Sequence, residues 1–189
     1  MTEVLASLKK IAHALLGDYA IYYIYACTSA QAGAPVGKDF QVRQTYADEI
    51  EASTDPVIRE QAGYAGDQSI AYASFDRDRM VGVCFYWFGE RYRRRNFWPL
   101  REKEAKLVQI VTVADLRGRG VATELVVASS AKVLSQGFDC VYARIWHSNT
   151  PSLRAFQRAG WSRLALVVEI NPFRLPRPWR LRFKMRKQL

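Results

Sequence analysis

The chain has 189 residues, 49% of them apolar, which is enough to bury the core of one domain and excludes wholesale disorder. The formal net charge is +10, and no run of about 18 uncharged apolar residues occurs, so we expect no membrane-spanning segment. The N-terminus mixes acidic and basic residues with its leucines, unlike a secretory leader, so we expect a cytoplasmic protein.

The predicted elements, taken in chain order, alternate between helix and strand patterns. Apolar residues recur at helical spacing over residues 3–16, whereas residues 19–26 are β-branched and aromatic, which favours a strand. The polar pattern of residues 41–68 predicts helix, broken near Asp55-Pro56. The remaining predicted elements are a strand pair joined by a polar turn (69–75 and 80–88), a strand (105–113), a helix (120–135), a strand (139–146), a helix (151–159) and a strand (161–169).

The helix predicted over residues 151–159 has well-marked ends. Thr150 can cap it, Pro151 suits its first turn, and Gly160 suits its exit. Together with the alternation of strands and helices before it, this helix predicts a mixed α/β layer with one central sheet.

The cysteines and histidines offer little for metal binding or disulfide formation. Cys27, Cys84 and Cys140 form no close pair, so we expect buried, reduced thiols. With only His13 and His147 available, we expect no zinc site and no other metal site.

The stretch RGRGVA, residues 117–122, lies where a predicted strand gives way to a predicted helix. The first amides of a helix lack intrahelical partners and lie at the positive end of its dipole. Gly118 and Gly120 remove side chains that would keep an anion away, while Arg117 and Arg119 add positive charge. The pattern predicts a cradle for a phosphate or pyrophosphate, and an ordinary strand-to-helix turn stays open as the alternative.

This junction differs from the better-known phosphate loops. It contains no GxxxxGK[ST] motif, and Thr123 stands where a GxGxxG motif would have its third glycine. The residues instead resemble the acetyl-coenzyme A signature of the GNAT superfamily of N-acetyltransferases, [Q/R]-x-x-G-x-[G/A], with Arg117, Gly120 and Ala122 in the fixed places.

A second segment, HSNTPSLRAFQRAGW at residues 147–161, also resembles that family. Asn149, Ser152, Gly160 and Trp161 match its second motif, an Asn after a strand, a short helix, and then Gly with an aromatic residue. The resemblance covers about residues 40–172. It implies one acyltransferase domain over 1–189, with the predicted N-terminal helix and strand (1–28) and a basic tail (173–189) flanking the family-like core.

The resemblance implies an α+β fold with a mixed central sheet flanked by helices, whose strands splay at the cofactor cleft. It implies acetyl-CoA or another acyl-CoA as co-substrate and no metal. The backbone of Val111 and Val113 would face the pantetheine arm, the Val113 amide would polarise the thioester carbonyl, and Asn149 would hydrogen-bond the arm with Ser152 close by. The pyrophosphate would be bound by the amides of Arg117, Gly118, Arg119, Gly120, Val121 and Ala122.

The family typically transfers its acyl group by direct attack of an amine in a ternary complex. Glu104 stands where the family often has its general base, and His147 is the alternative because its ordinary pKa suits proton transfer at neutral pH. Glu90 is a third candidate. The Tyr that usually protonates the thiolate in the family is replaced by Phe156. Tyr142 or a water would then donate the proton, or the thiolate would leave without a proton donor. A non-catalytic acyl-CoA-binding protein is the alternative hypothesis.

Aromatic and cationic residues crowd the segment before the predicted cofactor strand. We expect Trp87, Tyr92, Arg95 and Trp98 to bind the acceptor, since aromatic rings stack on sugars and arginines bind phosphates. The acceptor would be an amino sugar or a nucleotide-linked or lipid-linked sugar. The alternative is a connecting loop anchored in the core. The segment ARIWHSN, together with the tail, resembles acetyltransferases associated with polysaccharide biosynthesis.

Residues 171–189, which include the tail, hold five Arg and two Lys with no acidic residue. The alternation of apolar and basic residues in the tail is compatible with an edge strand, with a lid, or with an anchor at the inner membrane face. A homodimer also stays open, and nucleic acid is not expected as a partner. A basic module that binds nucleic acid or a membrane surface is the competing hypothesis.

Overall fold

Eight strands carry the fold in a computed structural model that describes residues 18–28, 39–93, 98–171 and 179–185. The predicted N-terminal helix (3–16), Arg95 and the remaining parts of the tail lie outside the described residues. In chain order the strands are β1 (Asp18–Thr28), β2 (Gln41–Thr45), β3 (Ser69–Asp76), β4 (Arg79–Trp87), β5 (Glu104–Thr112), β6 (Cys140–Trp146), β7 (Ser162–Asn171) and β8 (Trp179–Lys184).

Five α-helices connect these strands within the described residues. They are α1 (Ala47–Glu51), α2 (Pro56–Arg59), α3 (Gly89–Arg93), α4 (Val121–Ser135) and α5 (Thr150–Arg158). Single 3-10 turns follow α2 (Ala62–Tyr64) and β5 (Ala114–Leu116). Among the described residues, none of the helices combines the length and the hydropathy that a membrane-spanning helix needs.

The strands form one sheet in the order β2-β3-β4-β5-β6-β1-β7-β8. Neighbouring strands are antiparallel except β5 and β6, which are parallel. The fold class is therefore the predicted one, a mixed α/β layer with a central sheet. The first strand, β1, lies between β6 and β7, so it joins the two halves of the sheet although it precedes both in the chain.

Helices cover both faces of the sheet. Leu125 and Val126 of α4 and Phe156 of α5 pack on one face, and Ile50 of α1 and Ile58 of α2 pack on the other, all of them buried. Burying such a side chain contributes about 1.5–3 kcal/mol each. Both apolar layers include residues of β4, so this central strand is covered on both faces.

The prediction of a helix over residues 41–68 is wrong for its first residues, whereas the predicted break is confirmed. Gln41–Thr45 forms a strand because it pairs with Ala71–Phe75 of β3, and such pairing outweighs a polar local pattern. The break at Asp55-Pro56 is confirmed, since the Asp55 carboxylate accepts a hydrogen bond from the Val57 amide at 3.0 Å and Pro56 begins α2.

Of the three structures predicted for the tail, the edge strand is the one that residues 179–184 adopt. Among the described strands β8 pairs with β7 alone, and it alternates apolar and basic side chains. Trp179, Leu181 and Phe183 are 64%, 54% and 53% exposed, so this strand presents apolar rings and branches to solvent.

Candidate functional site

The two parallel strands at the centre of the sheet separate along their length. β5 pairs with β6 only from Glu104 to Leu107, opposite Cys140 to Ala143, yet it continues to Thr112 in pairing with β4. The β4–β5 register shifts at the same point, which leaves Val108 as an extra residue. Such a bulge bends its strand. A wedge-shaped gap therefore opens between the second half of β5 and β6.

The register decides which backbone groups of β5 face this gap. The Val113 amide donates to the Val81 carbonyl of β4 at 3.0 Å, so it cannot polarise a thioester, and that prediction is wrong. Backbone groups alternate sides along a strand, which directs those of Val111 to β4 as well. The groups that face the gap belong to Ile110 and Thr112.

The gap leads to the start of α4, where the glycines adopt left-handed backbone angles. Gly118 has a φ of 81° and Gly120, the N-cap residue, has a φ of 91°. No side chain caps this 15-residue helix. The amides of Arg117 and Arg119 donate to Ala114 and Leu116 carbonyls at 3.3 Å, so they do not belong to the cradle as predicted. Their exposed side chains still add positive charge.

The residues at this helix start fit a diphosphate. A Cβ built on Gly118 would meet no atom within 4 Å, and one on Gly120 would meet only Glu124 Oε1 at 3.9 Å, so the space in front of the amides is open. Helix geometry leaves the amides of Val121 and Ala122 without intrahelical acceptors at the positive end of the dipole. This arrangement binds anions without a capping side chain.

The second motif lies where β6 gives way to α5. Asn149 Oδ1 accepts a hydrogen bond from the Ser152 amide at 3.2 Å, so Asn149 caps α5, and the prediction of Thr150 as the cap is wrong. This bond uses the carbonyl oxygen of the side chain and leaves its NH₂ group as a donor. Asn149 is exposed at the end of β6, the strand that borders the gap.

Glu104, the first candidate base, lies three residues before the strands separate. Its Oε1 accepts from the Tyr142 hydroxyl of β6 at 3.0 Å, and its Oε2 accepts from the Arg101 amide at 2.8 Å. Both side chains line a cavity of about 350 Å³, together with Trp98, Pro99, Leu100 and Arg101. Burial first, then the neighbouring Cys140 and Glu104, raises the pKa of Tyr142 far above its ordinary value, so its hydroxyl stays protonated.

His147, the second candidate base, is held at the opposite end of β6. Its Nδ1 and its backbone amide both bond the Ile21 carbonyl, at 3.0 and 3.1 Å. Glu104 lies opposite Cys140, seven residues before His147, so roughly 23 Å of extended chain separates the two candidates. The structure does not bring them together. Glu90, the third candidate, is exposed and pairs with Arg93 at 2.6 Å.

The residues predicted to bind the acceptor lie in different environments. Trp87 and Tyr92 are buried in the core, where Trp87 Nε1 donates to the Tyr64 carbonyl and the Tyr92 hydroxyl donates to the Trp98 carbonyl, each at 2.8 Å. Trp87 lines neither of the two cavities described for this region, whereas Tyr92 still borders a second cavity of about 370 Å³ beside Leu100 and Arg101. Trp98 lines the cavity beside Tyr142, with 5.9 Å between ring centres. Arg95 lies outside the described residues.

From the sequence, Arg144 and Trp146 are expected to join the acceptor-binding end of the sheet, and the structure brings them together at the end of β6. The guanidinium of Arg144 lies 4.9 Å from the Trp146 ring centre and 5.2 Å from that of Tyr22. Trp146 is 43% exposed. The sequence signal was ARIWHSN, in which Arg144 and Trp146 fall two apart on a strand and so share one face.

Sequence reasoning missed Lys106, which is completely buried on β5. Its Nζ lies 5.6 Å from the centre of the Tyr92 ring. Burial, followed by the charge of Arg144, lowers the pKa of Lys106 to about 6. The available signal was a lysine inside an apolar strand, AKLVQIV.

The other reactive side chains are inert in this structure. Burial raises the pKa of Cys84 to about 12 and that of Cys27 to about 11, so both stay thiols. Phe156, which replaces the expected Tyr, is buried 4.9 Å from the Trp161 ring centre. In the part of the chain that the structure describes, no three His, Cys, Asp or Glu residues cluster as metal ligands would.

Comparisons with protein-family models and with solved structures show what this chain is similar to. The model of the acetyltransferase (GNAT) family matches residues 38–161. No curated protein matches the chain. Among solved structures, a GNAT-family acetyltransferase from Colwellia psychrerythraea aligns with a TM-score of 0.60 at 11% identity, covering 87% of this chain and 60% of that one.

Two further structures show the same likeness. A GCN5-related N-acetyltransferase from Kribbella flavida aligns with a TM-score of 0.55 at 8% identity, over 87% of this chain and 61% of that one. A functionally unknown conserved protein from Staphylococcus epidermidis ATCC 12228 gives 0.57 at 13% identity, over 87% and 66%. The chain thus covers less than two thirds of each of these proteins, and at such identities the likeness concerns the fold alone.

Proposed function

Because the chain belongs to the GNAT family of acetyltransferases, we propose that it transfers an acetyl or other acyl group from coenzyme A to the amine of a small acceptor. One observation carries the proposal: β5 leaves β6 after Leu107, and a short turn connects its end to the uncapped start of α4. This continuity provides an open strand edge for an extended arm and a group of free amides for a diphosphate.

Each part of the co-substrate has residues that suit it. The amides of Gly120, Val121 and Ala122 would hold the diphosphate, with the Arg117 and Arg119 side chains adding charge. The backbone of Ile110 and Thr112 would bond the pantetheine arm, and the NH₂ group of Asn149 would donate to the same arm. When bound, the co-substrate supplies an activated acyl carbon and a thiol leaving group.

The protein's own residues support direct attack by the acceptor amine. The buried cysteines stay protonated, so they do not serve as nucleophiles. Glu104 and Tyr142 form a hydrogen-bonded pair in the wall of the cavity, where they would position an amine and its proton. His147 is the alternative proton acceptor, with its Nε2 free of the bond that Nδ1 makes.

We propose an amino sugar that carries a phosphate, through a nucleotide or a lipid link, as the acceptor. Trp98 at the cavity and the stacked Arg144 and Trp146 at the end of β6 support this class, since rings stack on sugars and guanidinium groups bind phosphates. A role in polysaccharide biosynthesis, the predicted cytoplasmic location and a homodimer belong to the same proposal. A mass-spectrometric screen of nucleotide sugars and polyamines with acetyl-CoA tests it, and acylation of polyamines alone would contradict the sugar class.

Two observations favour secondary functions. Phe156 offers no proton at the place where the family usually has a Tyr, which favours a non-catalytic acyl-CoA-binding protein if the screen finds no acceptor. The exposed Trp179, Leu181 and Phe183 on β8, with basic residues between them, favour contact with an anionic membrane surface. A lipid-linked acceptor would make that contact useful.

A further inference from the structure

Arg101 lines both of the cavities beside the candidate base. The cavity of about 350 Å³ that contains Glu104 and Tyr142 shares Pro99, Leu100 and Arg101 with the second cavity of about 370 Å³. The Arg101 amide donates to Glu104 Oε2 at 2.8 Å, which holds this arginine next to the carboxylate. A cation therefore lies at the border between the two spaces, where an acceptor larger than the first cavity would pass.

The side chain of Arg101 is exposed and open to a ligand. Within the described ranges, no carboxylate forms an ion pair with it. Arg93, which also lines the second cavity, differs because its guanidinium is paired with Glu90. A guanidinium without such a partner keeps its N–H donors for an anion.

A second guanidinium borders the first cavity from β8. Arg182 Cζ lies 5.5 Å from the centre of the Trp98 ring, and Trp98 lines that cavity. The pairing of Arg182 with Val167 of β7 fixes its backbone there. Among the described carboxylates none pairs with Arg182, whereas Arg180, two residues earlier, is paired with Glu169 at 3.1 Å. Stacking uses the flat face of a guanidinium and leaves its in-plane N–H groups free to bind an anion.

The segment that carries Trp98 and Arg101 is anchored at both ends. The buried Tyr92 hydroxyl donates to the Trp98 carbonyl at 2.8 Å and accepts from the Trp98 amide at 3.2 Å. The bond from Arg101 to Glu104 holds the other end. The two cations thus border a cavity whose wall is already formed, as ligand sites usually are.

We propose that Arg101 and Arg182 form a phosphate subsite that selects the acceptor. The inference rests on the proposed function and specifies how the site recognises its acceptor. The acceptor amine lies at Glu104 in the first cavity and its phosphate lies at Arg101. The group beyond the phosphate enters the second cavity. In this arrangement β8 contributes to the acceptor site.

The charges at this subsite fit a phosphate better than a carboxylate. Two guanidinium groups supply two positive charges, and a phosphate ester offers up to two negative charges with several acceptor oxygens. Glu104 opposes them only in part, because its oxygens already accept from the Tyr142 hydroxyl and the Arg101 amide. Glu102 lines the second cavity but not the first. Nucleotide-linked and lipid-linked sugars share this phosphate chemistry.

Calorimetry with glucosamine 1-phosphate and with glucosamine tests the subsite, with and without saturating coenzyme A. The wild type should bind the phosphorylated amine about tenfold more tightly or better, and added salt should reduce this preference. Arg101→Gln should reduce the preference to about threefold or less, and Arg182→Gln should weaken it at least about threefold. Arg101→Lys keeps the charge but not the planar fork, so its preference should lie between those of the wild type and Arg101→Gln.

Two matched variants are the controls. Lys103→Gln removes an exposed cation that lines neither cavity, and Arg180→Gln removes a β8 arginine whose charge Glu169 already balances. Both should keep the wild-type preference. The subsite is overturned if the wild type binds both amines equally, if it binds no glucosamine 1-phosphate at about 10 mM, or if Arg101→Gln keeps the preference. A wild-type preference in Arg182→Gln overturns the part assigned to β8.

Two larger probes distinguish the sources of the phosphate. Uridine diphosphate glucosamine represents the nucleotide link, and glucosamine joined to a short prenyl chain through a phosphate represents the lipid link. The tighter of the two identifies the link, and its affinity should fall about tenfold in Arg101→Gln. Unchanged affinity of both probes in this variant contradicts the subsite.

The outcomes separate this inference from the proposed function. If coenzyme A binds the wild type but Arg101→Gln keeps the preference for the phosphorylated amine, the subsite is wrong and the proposed function stands. If coenzyme A does not bind the wild type, the proposed function fails. The preference measured without coenzyme A then still decides whether Arg101 and Arg182 bind a phosphate.

Discussion

Tyr142 and Glu104 bond across the only parallel strand pair among the described strands, with 3.0 Å between the hydroxyl and Oε1. The pairing of Glu104 with Cys140 and of Lys106 with Tyr142 sets this contact, because it places the tyrosine beside the strand end that carries the carboxylate. From the sequence, Glu104 is a candidate base and Tyr142 a candidate acid, with nothing to connect them. Their bond makes them one unit in the wall of the cavity.

Removal of this hydroxyl in Tyr142→Phe should cost about 1–2 kcal/mol in the free energy of unfolding, because a partly buried carboxylate loses a donor. It should also lower kcat, since Glu104 loses its orientation. Urea denaturation and steady-state kinetics measure the two effects. Tyr46→Phe, at a tyrosine that is 64% exposed, is the control and should change neither quantity. Equal behaviour of the two variants would show that the bond does not matter.

A carboxylate at the start of α4 should prevent cofactor binding. Gly120→Glu should lower the affinity for coenzyme A by about 100-fold or more in calorimetry, because the new charge meets the diphosphate. Gly137→Glu is the matched control. Gly137 has a φ of 97° and open space, and it follows the other end of the same helix, so both variants carry similar backbone strain. If both lose affinity equally, strain rather than charge is the cause and the cradle is misplaced.

Asn149 should serve two purposes that different substitutions separate. Asn149→Asp keeps an oxygen for the Ser152 amide but loses the NH₂ donor, so stability should hold while affinity for coenzyme A falls about fivefold to tenfold. Asn149→Ala loses both groups and should cost about 1 kcal/mol of stability as well. Thermal denaturation and calorimetry measure these effects. Wild-type affinity in Asn149→Asp would limit Asn149 to capping the helix.

The buried Lys106 should make stability depend on pH. Its pKa in the folded protein is lowered from an ordinary value of 10.5 to about 6, so between these values the unfolded chain binds more protons. The free energy of unfolding must then rise with pH in this window, by up to about 1.4 kcal/mol per unit. Between pH 6.5 and 8.5 the wild type should gain about 2–3 kcal/mol relative to Lys106→Met in urea denaturation. Parallel pH profiles of the two proteins would exclude a neutral buried lysine.

The apolar face of β8 should bind anionic vesicles. Leu181→Asp with Phe183→Asp should weaken binding to vesicles that contain phosphatidylglycerol, measured by sedimentation, because the change removes apolar contact and adds repulsion. Neutral phosphatidylcholine vesicles are the control, and added salt should weaken the wild-type binding. Vesicle binding that survives the double substitution would place any membrane contact elsewhere.

The sequence alone was sufficient where structure depends on neighbouring residues. The break at Asp55-Pro56, the helix that starts after Gly120 and the exit at Gly160, which has a φ of 78°, follow from local backbone and capping physics. The same physics predicted free amides at the start of α4, and the family matched there accounts for residues 38–161.

The tertiary structure decided everything that depends on distant segments. Register against β4 turned the Val113 amide away from the gap, and pairing with β3 made a strand of Gln41–Thr45. Burial by segments far apart in the chain withdrew Trp87 from the surface and lowered the pKa of Lys106. The physical reason is that hydrogen-bond direction and desolvation are set by the partners that fold against a residue, which its own sequence neighbours do not specify.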